Sequence, residues 1–316
     1  MLNDKAIKNL INSLSLRLRK KSASSLKDGQ FVAPRFIFVC GKDIHTSGDT
    51  IRKITIEKLE QQKTENMYGF RSNNVLCVIS ENLYNQDLAE DLFSFEKMLA
   101  EISHKIIIVT ESAGTYCELG AFVMDDECRK KTVVINEDKA EFANSFITNG
   151  PIKMLEADNE KAVILHNGID RIKSNSEYNF RMEEVATEDL RISPNMGWQH
   201  LNLRSLIYEL ANIVELFQPI EAFEIERIYL NVKGFNHYTI RKSEHKIKTI
   251  NNVIKLMEKM DLVVKSEGLY TIFPKVSCYN VMFDISRKEY NDFRIQYLNR
   301  MNKIHPERML YCNAER

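Results

Sequence analysis

Apolar runs and apolar periodicities alternate along the first half of the chain. Arg35 to Cys40 is a continuous apolar run after Pro34, and Asn74 to Ser80, Lys105 to Thr110 and Thr132 to Asn136 are of the same kind. Runs this short and unbroken predict strands buried on both faces. Val163 to His166 predicts one more short strand. Between them, apolar residues recur at helical spacing. The pattern predicts helices over 50–63, over 88–103 with Leu92, Phe95, Met98, Leu99 and Ile102 inward, and from about 115 to 129. Strands alternating with helices imply an α/β fold of the Rossmann or flavodoxin-like kind, with a parallel sheet and right-handed crossovers.

Between about 170 and 198 the pattern weakens into Lys173-Ser174-Asn175-Ser176-Glu177, with Pro194 and Gly197 beyond. A domain boundary is expected there. The expected organisation is an N-terminal helical arm over 1–34, a catalytic domain over 35–175, a linker over 176–198 and a helical domain over 199–316. In that last part, helices are expected over 201–217, 220–229, 246–260 and 286–310. The 246–260 helix carries Ile247, Ile250, Val253, Ile254 and Met257 on one face. Apolar stretches 261–264 and 269–273 then flank Ser266-Glu267-Gly268, a hairpin signal. A helix followed by a small hairpin is similar to a winged helix.

A length of 316 residues suits about two domains. The 44 Lys+Arg balance the 44 Asp+Glu, so no global attraction to nucleic acid or membrane is implied. No segment approaches the roughly 18 apolar residues that span a bilayer. The basic, periodic N-terminus lacks the continuous apolar core of a secretory signal. It reads as a helix packed on the body or as a docking arm. The six cysteines show no C-x-x-C pairing and suggest reduced thiols in the cytoplasm.

The candidate chemistry gathers where strands end. In open parallel sheets, ligands bind beyond the carboxyl ends of the strands. Gly41 and Asp43 follow the first strand, and Glu111-Ser112-Ala113-Gly114-Thr115 follow the third and open a helix carrying Glu118. That helix N-terminus suits an anionic or sugar-containing ligand, and its dipole is expected to hold Glu118 ionised. Such a carboxylate can attack an anomeric carbon or stabilise an oxocarbenium ion. Each candidate also has a plainer reading: Asp43 as a turn residue, Glu96 as a solvent-facing charge, Glu118 as a dipole partner. The P-loop, the G-x-G-x-x-G fingerprint, the G-x-S-x-G elbow and metal-ligand spacing of histidines are all missing.

The blocks Phe38-Val39-Cys40-Gly41-Lys42-Asp43, Leu92-Phe93-Ser94-Phe95-Glu96, Glu111-Ser112-x-Gly114 with Glu118-Leu119-Gly120-Ala121-Phe122, and Ser145-Phe146-Ile147 with Asn149-Gly150-Pro151 resemble the effector proteins of bacterial retrons. The resemblance implies a nucleoside 2-deoxyribosyltransferase-like N-terminal domain and a C-terminal winged-helix region. It implies Glu118 as nucleophile toward a ribosyl N-glycoside; at the same sheet edge Asp43 and Glu96 are expected to bind ribose hydroxyls beside Gly41, and Ser112, Gly114 and Thr115 to orient the sugar or phosphate. It also implies a reverse transcriptase and its multicopy single-stranded DNA as partners, and a toxic role in phage defence. No cofactor is expected; NAD is the expected substrate. Deoxyribosyltransferases carry an Asp six residues before the Glu, where this chain has Ser112. A neutral base leaves only when protonated, whereas nicotinamide in NAD is already cationic, so Ser112 favours NAD. A salvage deoxyribosyltransferase and a non-enzymatic nucleotide sensor are the rival readings. Lys246, Lys248 and Lys255 are the expected contacts of the second domain to nucleic acid or to a partner, and a homo-oligomer is compatible with the chain.

Overall fold

The structure is a computed structural model that describes residues 1–18, 31–61, 63–65, 71–73, 75–84, 86–139, 144–188, 190–192, 195, 201–240, 246–273 and 276–312. The chain forms two compact units, Arg35–Lys63 with Asn73–Glu188, and Met1–Pro34 with Thr64–Ser72 and Asp189–Arg316.

In chain order the first helix, α1 (Lys5–Ser15), belongs to the second of these units. The α/β unit opens with β1 (Arg35–Cys40) and α2 (Ile51–Glu60). Short strands β2 (Lys63–Glu65) and β3 (Arg71–Asn73) pair with each other. Then follow β4 (Val75–Val78), α3 (Ser80–Leu83), α4 (Leu92–Ile102), β5 (Lys105–Val109) and α5 (Ala113–Met124). After the single turn α6 (Asp126–Arg129) come β6 (Thr132–Glu137), α7 (Lys153–Asp158), β7 (Val163–His166), α8 (Ile169–Ser174) and α9 (Ser176–Thr187).

The five sheet strands lie in the order β4-β1-β5-β6-β7, every pairing parallel. Numbered along the sheet-forming strands, this is 2-1-3-4-5, the flavodoxin-like doubly wound order, with its switch point between β1 and β5. All six residues of β1 are buried, which is why the run reads as unbroken apolar sequence. Its two faces divide cleanly. Ile37 and Val39 join Ile107, Val109, Val133 and Ile135 in a cluster with Ile51, Ile54 and Leu59 of α2. On the other face, Phe38 meets Phe122 of α5 edge-on, ring centroids 6.0 Å apart.

The stretch expected to be a linker, 176–198, begins instead as α9. Its Tyr178, Met182, Val185 and Ala186 belong to the same cluster as β1 and β5. Four apolar residues at helical spacing are buried there, and the polar residues between them gave the segment its loop-like composition. The α/β unit therefore runs past residue 175, to Glu188.

In the second unit, α1 buries Ile7, Ile11 and Leu14 instead of standing as an arm, and its cap Asp4 pairs with Arg300. Residues 19–30 of the expected arm lie outside the described residues. The helix α10 (Leu203–Phe217) is buried on every side apart from Arg204. It is followed by β8 (Ile220–Glu221), α11 (Ala222–Lys233), α12 (Ile250–Lys259), β9 (Val263–Ser266), β10 (Leu269–Ile272) and α13 (Arg287–Ile304). The three strands form an antiparallel sheet of order β8-β10-β9. Glu267 and Gly268 turn the β9–β10 hairpin with positive φ at both positions, as a tight hairpin requires. The apolar face expected on 246–260 is buried throughout. The helix itself starts later, at the Thr249 cap, so Lys246 and Lys248 precede it and Lys255 lies on it.

Candidate active site

The carboxyl ends of β4, β1 and β5 bring together residues from four helices. Glu118 lies on the second turn of α5, beyond the reach of a dipole effect that fades within the first turn. It is half-buried, and its Oε2 is enclosed without a hydrogen-bond partner. Burial pushes its carboxyl up to about 7, Glu96 adds to the rise, and Arg52 pulls against both. The expectation that the helix dipole holds Glu118 ionised is therefore corrected: the dipole does not reach it, and burial favours its protonated form. Glu96, on α4, is 6% exposed and not a solvent-facing charge. Burial raises it as well, with Ser80 opposing and Glu81 reinforcing the rise. The thiol of Cys40, the last residue of β1, is pushed well above its ordinary range by burial and by Glu118, so it stays a weak donor beside that carboxylate.

Arg52 was missed at the sequence level. It is 1% exposed. Its Nε and Nη2 donate to the Val39 carbonyl at 3.1 and 2.7 Å, and Nη1 donates to the Gly41 and Lys42 carbonyls, each at 3.3 Å. The same guanidinium grips Glu81 in a fork, Nη1 to Oε1 at 2.5 Å and Nη2 to Oε2 at 2.9 Å. Burial raises Glu81, but the Arg52 bond and charge outweigh it and hold the carboxyl below its ordinary range. A signal did exist. Arg52 falls among the buried residues of α2 (Ile51, Ile54, Thr55 and Leu59), and a charge on an apolar helix face must be paired.

The remaining expected site residues have visible local roles. Gly41 packs against Arg52: a Cβ there would lie 2.6 Å from the Arg52 Cδ. Ser112 is the cap of α5, its hydroxyl accepting from Thr115 N–H, while Thr115 Oγ1 accepts from Ser112 N–H and donates to the Ser112 carbonyl. Gly114 is exposed in that first turn. Asp43 is exposed, and its Oδ1 accepts from His45 N–H at 2.8 Å. Glu111 caps α2, accepting from Ile51 N–H and Arg52 N–H. Among the described residues, no group of His, Cys, Asp and Glu is arranged to hold a metal, and no helix is long and apolar enough to cross a membrane.

Fold and site together define an α/β protein of flavodoxin-like strand order with a carboxylate cluster at its switch point, joined to a mainly helical unit. A family model described as STM3845 retron effector protein matches residues 48–265, well over half of the chain. The chain belongs to that retron effector family. It is 24% identical over 290 residues to an Escherichia coli protein named "Retron Ec73 putative ribosyltransferase/DNA-binding protein", covering 87% of each chain. It is 31% identical over 132 residues to the counterpart named for retron Ec86 from the same organism, covering 40% of this chain and 39% of that one.

Proposed function

We propose that this protein is the toxic effector of a retron phage-defence system, and that its α/β unit is an N-glycosidase acting on NAD or a related nucleotide. The observation that carries the reading is Glu118: a carboxylate at the switch point with an unbonded buried oxygen and a proton affinity near neutrality. Its ionised form can stabilise positive charge developing at C1′ or form a bond to that carbon. The glycosidic bond breaks with its electron pair on the pyridinium nitrogen, and nicotinamide leaves neutral without needing an acid. Water then adds at C1′ and its proton passes to Glu118, whose affinity suits a general base at pH 7. In the deoxyribosyltransferase-like reading, Ser112 stands where an acid would serve a neutral base, and Glu111 is committed to the α2 N-terminus as an acceptor. Both observations favour a cationic leaving group. The ribosyltransferase naming of the relatives fits the same chemistry with another acceptor replacing water.

The second unit supports a nucleic-acid or partner-binding role. The order helix, strand, two helices and hairpin, with the first strand pairing to the last, supports a winged-helix reading. Lys246, Lys248 and Lys255 are exposed there. We assign this unit to the reverse transcriptase and its multicopy single-stranded DNA, and the complex to the cytoplasm. The test is nicotinamide release from NAD by the purified chain, with and without the reverse transcriptase–DNA complex. Release by the wild type, abolished in Glu118→Gln and suppressed by the complex, is expected. No release under any of these conditions overturns the glycosidase reading.

A further inference from the structure

We propose that Arg52 is the positioning residue of this site: it knits together the three strand ends around the switch point and supplies the positive charge against which Glu96 and Glu118 are held. The inference rests on the reading of Glu118 as the reacting carboxylate. Arg52 meets each strand end separately. Its guanidinium bonds the Val39 and Gly41 carbonyls at the end of β1 and grips Glu81, which follows β4. Its backbone N–H donates at 3.2 Å to Glu111, which follows β5. Gly41 has no room for a side chain because the Arg52 stem occupies that volume, its carbons 2.6–2.9 Å from where a Cβ would sit. An arginine needed only to fill space would be satisfied by the carbonyls. This one also takes a carboxylate, Glu81, that is itself 37% exposed.

Three charges and a thiol act on Glu118 from four other elements: Glu96 on α4, Arg52 on α2, Glu81 on α3, and the neutral Cys40 thiol on β1. Their signs make the inference sharp. Removing the Arg52 charge leaves three carboxylates unopposed, so Glu118 binds its proton more tightly. Removing the Glu81 charge deletes a repelling group and leaves Arg52 less neutralised, so Glu118 binds its proton less tightly. General damage to the site would not produce opposite shifts.

The experiment follows the Glu118 side-chain carboxyl by carbon NMR titration in the full-length protein, beside the pH profile of nicotinamide release. In Arg52→Gln, the midpoint and the acid limb are expected to rise by about one pH unit, the scale of a lost neighbouring opposite charge. In Glu81→Gln both should fall. Arg52→Lys should restore the midpoint while kcat stays low, because a lysine keeps the charge but not the fork to the carbonyls and Glu81. Midpoints that stay put, or move the same way in Arg52→Gln and Glu81→Gln, overturn the inference. If Arg52→Gln does not fold, Glu81→Gln decides alone: a fall supports the inference and no movement ends it. Midpoints that move as expected without any nicotinamide release would sink the glycosidase reading and leave the role of Arg52 standing.

Discussion

The Glu111 carboxylate and the backbone of Arg52 are bound to each other across the switch point. Glu111 Oε2 accepts from Arg52 N–H at 3.2 Å, and Oε1 accepts from the neighbouring Ile51 N–H at 2.8 Å. A residue that follows β5 thus caps the helix that follows β1. The capped helix delivers the guanidinium that faces the site. One carboxylate serves the helix N-terminus, where backbone donors favour an anion, so the proposed chemistry falls to Glu118.

Glu111→Gln is expected to lower stability by about 1–2 kcal/mol, the scale of a lost N-terminal cap. The amide also turns donors toward backbone N–H groups. Urea unfolding at pH 7 measures the loss. An unchanged midpoint together with a large loss of turnover would mean that Glu111 acts on substrate and not on α2.

Glu118→Gln should abolish nicotinamide release, by at least about 100-fold in kcat, as expected when one electrostatic stabiliser is removed. It should also stabilise the fold in alkali. The folded carboxyl, at about 7, is raised above its ordinary value of 4.5. Its ionisation therefore costs the folded state stability, and the cost grows as pH rises from about 4.5 through 7. At pH 8 the variant should exceed the wild type by on the order of 2–3 kcal/mol, and the gap should close near pH 4. Equal stability of the two proteins at both pH values would mean that Glu118 is solvated.

Ser112→Asp should leave the fold intact, because Asp is as good a cap as Ser and its carboxylate can take the Thr115 N–H. Any change in selectivity is then free of a folding defect. The ratio of kcat/KM for NAD to that for a deoxynucleoside should fall, since the new carboxyl can protonate a neutral base. An unchanged ratio would place residue 112 away from the base.

Reversing the charges of Lys246, Lys248 and Lys255 together should weaken binding to the retron nucleic acid and flatten its salt dependence. All three residues are exposed, so the substitutions do not touch the core. Wild-type affinity with the same salt slope would mean that this face is not the nucleic-acid contact.

The strands and most helices were legible because their signals are local. A strand buried on both faces needs an unbroken apolar run, and β1 has one. Helix starts were less legible than helix bodies: the caps Asp91, Ser112 and Thr249 start α4, α5 and α12 at 92, 113 and 250, and not at the expected 88, 115 and 246. The placement of Glu118 after β5 could still be read. Its turn could not be read as well, because the helix begins at Ala113, two residues before the expected start. The linker reading failed for a related reason. The inward residues of α9 are spaced among polar ones, and only the cluster on the sheet reveals them as core.

The chain by itself determined which segments alternate and where carboxylates follow strands, since both depend on neighbours in sequence. Only the tertiary structure decided that β1 lies between β4 and β5. That order brings Glu81, Glu96 and Glu118 around Arg52, and it turns Glu118 from a dipole-held anion into a group that exchanges its proton near pH 7. Proton affinity follows burial and charge across space, and the spacing of residues 52, 81, 96 and 118 along the chain does not show how their charges act on one another.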